Sequence, residues 1–109
     1  MDFNIWFKQY QIKSIINFLL SFDIIIRPST ERELSMEEFI MYKMQFLQDA
    51  LFTLTDIHIP VTIYSKEGSI RFFTNLSEFT SNMTYDELVM LSEKIEKRMS
   101  DLPQEYVIT

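Results

Sequence analysis

The stretch Ser35 to Leu54, SMEEFIMYKMQFLQDALFTL, limits the possible folds more than any other part of the chain. Ser35 and Glu38 form a capping-box pattern: the Ser hydroxyl accepts from the third helical N–H, while the Glu carboxylate reaches back to the cap N–H. A helix therefore starts here. At about 100° per residue, Met36, Phe39, Ile40, Tyr42, Met44, Phe46, Leu47, Ala50, Leu51 and Leu54 share one arc of roughly 200°. That arc is wider than a surface helix needs and predicts cover from two sides.

Three residues break the pattern. Lys43 falls within the apolar arc, where an unpaired ammonium is costly to desolvate, so it must snorkel, pair or face a partner. Met41 and Phe52 fall on the polar arc with Glu38, Gln45, Gln48 and Asp49. They are either isolated surface residues, which are common, or part of a contact surface.

At 109 residues the chain has the length of one domain and can bury enough surface to fold without a metal or disulfide. It has no cysteine, which removes thiol chemistry and fits a reducing compartment. A hydrophobic fraction of 47% excludes a disordered chain. A net charge of −6 opposes binding to a phosphate backbone, so nucleic acid is not an expected partner. Lys94, Lys97 and Arg98 are interspersed with carboxylates, which leaves no one-sign stripe for mimicry of DNA. The apolar run Ile15 to Ile26 is broken by Asn17, Ser21 and Asp23, and it is shorter than the ~20 residues of a membrane span. No small-residue cleavage site follows Leu20, so a cytoplasmic protein is expected. Ile, Phe, Met and Tyr abound while Ala, Gly and Pro are scarce, as AT-rich coding sequence produces.

Before the central helix, Ile12, Ile15, Ile16, Leu19 and Leu20 recur at helical spacing. The aromatic cluster Phe3, Trp6, Phe7 and Tyr10 precedes them and either extends that helix or forms a short strand. Asp23 to Arg27 is β-branched and stops at Pro28, which predicts a short buried strand. After the central helix, Val61 to Tyr64 and Ser69 to Thr74 predict a β-hairpin around Gly68. Val61, Ile63, Ile70 and Phe72 would line one face, with Tyr64, Arg71 and Phe73 on the other. Asn75 to Asn82 reads as a polar connection anchored by Leu76 and Phe79. Thr84 with Glu87 makes a second capping box, opening a surface helix to about Ser100 with Leu88, Leu91, Ile95 and Met99 as its apolar stripe. Glu105 to Ile108 returns as an edge strand or remains a tail. These readings predict a single α+β domain over residues 1–109, with about three helices and a small antiparallel or mixed sheet that contains the hairpin.

The chain carries no phosphate-binding glycine loop, no His/Cys metal set and no nucleophile elbow. Glu37-Glu38 and Asp86-Glu87 are explained by helix N-termini, where the dipole favours carboxylates. His58, beside Asp56, has no nucleophile or second base at a recognisable spacing. No enzymatic activity, cofactor or metal is therefore expected.

The segment Ile59 to Leu91 resembles the opening of a PAS sensor domain, through Glu67-Gly68, Ile70, Asn75 and Tyr85-Asp86-Glu87-Leu88. The resemblance covers about a third of the chain and implies a small-molecule sensor, with the hairpin and central helix enclosing a pocket. Only 18 residues follow Leu91, fewer than three further strands of such a sheet need.

The missing chemistry, set beside the apolar residues on polar faces, favours a different expectation. It is a small acidic protein that binds another protein and regulates or inhibits it, of the kind a phage or other mobile element encodes. Its candidate contact residues are Phe3, Trp6, Phe7 and Tyr10, then Met41 and Phe52, then Tyr64 and Phe73, because aromatics and Met are enriched at interface cores. A homodimer would use the same residues.

Overall fold

In a computed structural model, residues 2–109 are described, and they form an α+β fold around one contiguous core. Helix α1 spans Phe3–Leu20, strand β1 Ile25–Pro28, helix α2 Met36–Thr55, and strands β2 and β3 Thr62–Lys66 and Ser69–Phe73. Helix α3 spans Leu76–Thr80, helix α4 Tyr85–Arg98, a 3₁₀ turn Met99–Asp101 and strand β4 Glu105–Ile108. No helix among the described residues is long and apolar enough to cross a membrane.

Both expected capping boxes are formed. Glu38 N donates to Ser35 Oγ at 3.1 Å and Glu87 N donates to Thr84 Oγ1 at 3.2 Å, with each Glu side chain returning to the cap backbone. The core is built by three helices: Ile12, Ile16 and Leu19 of α1, Leu47, Leu51 and Leu54 of α2, and Leu88 and Ile95 of α4, sealed by Val61. The double cover expected for α2 holds only for its C-terminal half. Phe46, Leu47, Ala50, Leu51 and Leu54 are buried, while Phe39, Ile40, Tyr42 and Met44 are half-buried and Met36 stays 66% exposed.

The aromatic start of the chain is helical rather than a strand. Asp2 caps it by accepting from Asn4 N at 2.9 Å, and α1 then runs unbroken to Leu20. The expected buried strand at Asp23 to Arg27 is corrected in place and in burial. Ile24 is the buried residue, and β1 begins after it with alternating exposed and half-buried positions. The strand is exposed because β4 pairs with it in parallel, Ile25 opposite Glu105 through Pro28 opposite Ile108, in a sheet of only two strands. An ion pair between Arg27 and Glu105 crosses that sheet.

The hairpin forms a second, separate sheet, with Thr62 opposite Phe73 and Lys66 opposite Ser69. Its loop is the two residues Glu67 and Gly68, both at positive φ (54° and 80°), the backbone that matches the twist of a tight hairpin. The polar connection expected over Asn75 to Asn82 instead contains α3. Asn75 Oδ1 accepts from Glu78 N at 3.2 Å, and the Asn75 amide donates to Glu78 Oε2 at 3.0 Å.

The elements that carry the PAS resemblance are present, yet the hairpin bonds to no other strand among the described residues. The chain spends its last strand on β1 instead, so the extended sheet implied by the resemblance does not form.

Candidate functional site

The α1 helix turns at about 100° per residue, and its two halves use opposite sides. Ile12, Ile16 and Leu19 point into the core, which sends Phe3, Trp6, Phe7 and Tyr10 to the far side as one stripe. The rings pack on each other along the helix. Phe3 lies 5.9 Å from Trp6 and 6.0 Å from Phe7, and Trp6 stacks on Tyr10 at 5.7 Å with 15° between planes. These centroid distances are those of favourable aromatic pairs, so the stripe is a preordered surface rather than four loose side chains. It is also exposed, from 41% at Phe7 to 68% at Phe3.

One border of the stripe is a groove. Trp6, Gln9, Tyr10 and Lys13 of α1 face Leu76, Ser77, Thr80 and Ser81 at α3 across a cavity of about 360 Å³. Gln9 Nε2 donates to the Thr80 carbonyl at 3.3 Å and ties the two walls together. The α3 wall was missed in the sequence, although Asn75 and Glu78 repeat the cap-to-third-position spacing of Ser35 and Glu38.

Phe52 and Phe73 are brought to one region by His58. The His58 ring stacks on Phe52 at 4.4 Å between centroids and 13° between planes. It also lines, with Ile59, Pro60, Phe73, Glu78 and Phe79, a hollow of about 490 Å³. Tyr64 shares Phe73's face of the hairpin, opposite Arg71. Met41 is exposed on α2 and lines none of these features.

Lys43 resolves the conflict seen in its sequence position. Its Nζ lies 5.2 Å from the centre of the Phe72 ring, so the ammonium of this half-buried residue meets an electron-rich face. Where a sensor pocket was expected, Lys43 and Phe72 line, with Asn17, Leu20 and Arg71, a hollow of about 450 Å³ that is as polar as it is apolar. The more apolar hollow opens on the opposite face of the hairpin, at Phe73.

Asp56 is bonded to two basic residues of α4. Its Oδ1 accepts from Arg98 Nη1 and its Oδ2 from Lys94 Nζ, both at 2.9 Å, while its backbone takes the left-handed conformation that ends α2 (φ 60°). The Arg98 hydrogen bond, followed by that from Lys94, holds the Asp56 carboxyl below its ordinary range. Among the described residues no group of His, Asp and Glu is placed to hold a metal ion. What the arrangement offers chemically is a preordered aromatic surface with a groove beside it. Comparison with protein-family models, with curated proteins and with solved structures found no match.

Proposed function

We propose that the chain is a small acidic, non-enzymatic protein that binds another protein through the α1 aromatic stripe and thereby regulates or inhibits it. The observation that carries this reading is the stripe itself: four stacked, exposed aromatics on the side of α1 turned away from the core. Aromatic anchors beside a pocket are the residues that dominate binding energy at interfaces, because they bury large areas at little entropic cost. The residue usage of AT-rich coding sequence favours a phage or mobile-element source acting on its host inside the cytoplasm.

The test is capture from a lysate of an AT-rich host, with the wild type compared against Trp6→Glu/Tyr10→Glu. Both side chains are exposed, so the variant should stay folded, with a melting temperature lowered only by the lost ring contacts. A host protein retained in stoichiometric amount by the wild type and lost with the variant is the expected result. Equal retention by both, or by neither, would overturn the reading.

A further inference from the structure

The hairpin has a feature that the α1 stripe does not explain. A two-stranded ribbon is marginally stable by itself, and each of its outer edges presents unpaired backbone groups that another strand can use. The two edges differ. Strand β3 lies against α1, and its Phe72 is covered by Lys43. Strand β2 is exposed at all five positions and, among the described residues, pairs with no strand but β3.

The register fixes which groups β2 turns outward. A two-residue loop closes on a hydrogen-bonded pair, here Lys66 and Ser69, and such pairs alternate along an antiparallel ribbon. Tyr64 and Thr62 therefore also bond inward, to Arg71 and Phe73. Ile63 and Ser65 are left with their N–H and C=O groups aimed away from β3.

The geometry points to a homodimer in which β2 pairs antiparallel with β2 of a second copy, the two-fold axis passing between the two Tyr64 residues. This register matches Ile63 with the other copy's Ser65, so every outward group finds a partner. It also pairs all of Thr62–Lys66; moving the axis to Ile63 or Ser65 would leave part of the strand unmatched. The side chains agree with it. On one face the two Tyr64 rings meet, each flanked by its own Arg71, and each Lys66 meets Thr62 of the other copy. On the other face the exposed Ile63 meets Ser65 of the second copy, while Phe72 and Ile70, half-buried against the body of each copy, stand behind them. No like charges oppose each other.

The equivalent pairing through β3 would place Arg71 against Arg71 on the axis, and like charges directly opposite are destabilising. Charge thus selects the β2 edge. The surface is distinct from the α1 stripe, so dimerisation and binding of another protein stand or fall separately.

The absence of cysteine makes the register testable with single substitutions. Residues facing each other on the axis form a non-hydrogen-bonded pair with Cα atoms about 4.5 Å apart, within disulfide range. In the same dimer the two Lys66 positions are offset by about 13 Å, beyond it. Under mild oxidation Tyr64→Cys should therefore become a disulfide-linked dimer while Lys66→Cys stays monomeric on a non-reducing gel. Sedimentation of the unmodified chain should show a species of twice 13.1 kDa that dissociates on dilution. Ser65→Pro should remove it, since the lost N–H points away from β3 and proline is tolerated on an edge strand. An unchanged melting curve for diluted Ser65→Pro would show that the hairpin still folds. A chain that is monomeric at every concentration overturns the inference. So does a dimer that survives Ser65→Pro, or one that links Lys66→Cys as readily as Tyr64→Cys.

Discussion

Glu38 serves two neighbours at once. Its carboxylate completes the capping box of α2 and accepts from Arg32 Nη1 and Nη2 at 3.2 and 2.9 Å. The Arg32 hydrogen bonds, followed by that from the Ser35 N–H, hold its pKa at about 2, well below the ordinary 4.5. A carboxylate whose folded value is depressed contributes its full stability above the unfolded value and loses it as pH falls through the folded one. The window therefore runs from about pH 4.5 down to about 2. Arg32→Gln should lower the melting temperature modestly at neutral pH, as expected for an exposed pair, and the gap from wild type should close across that window. A gap that stays constant to the acid end would contradict the pairing. The Ser35 and Glu38 cap was legible because it is local. Lys43 was only half legible: its place on an apolar arc showed that it needed cover, but the covering Phe72 arrives from the hairpin, and no local spacing specifies that approach.

At the scale of elements, the two halves of α2 differ in what they meet. Leu51 is fully buried in the core, whereas Met41 is exposed, although both are apolar residues of one helix. Leu51→Ala should cost about 2–5 kcal/mol, because it leaves a cavity, while Met41→Ala should stay within about 0.5 kcal/mol. Urea unfolding of the two variants checks this; similar losses would mean that the buried half of the helix is misplaced. Helices with strong periodicity and caps, such as α2 and α4, could be read from the chain. Helix α3 could not, because five residues with two buried side chains carry too little periodicity, and only the Asn75–Glu78 spacing announced it. The parallel pairing of β1 with β4 joins strands separated by the whole of α2, the hairpin, α3 and α4, and strands of four residues hold no signal for so distant a partner.

At the scale of the whole molecule, shape explains why so much aromatic surface remains outside. The radius of gyration is 15.5 Å, against about 13 Å expected for a rounded domain of this length, and the shortest dimension is 18 Å. A body so thin has little interior, so the far side of α1 and the outer edge of the hairpin stay uncovered. The sequence identified the aromatics at both places, since apolar residues in unusual positions are visible without a structure. It could not show that Trp6 and Tyr10 border a groove, that Phe52 and Phe73 share a neighbour in His58, or that Met41 stands apart, because each depends on how distant elements meet. We propose that the α1 stripe is the surface that engages another protein. The most direct test is photocrosslinking in the host with a benzophenone amino acid at Phe3, and in a separate variant at Met90, an equally exposed position on α4. A single discrete adduct with a host protein from position 3, absent from position 90, is the predicted result. No adduct from position 3, the same adduct from both positions, or an adduct only with a second copy of the chain would contradict it.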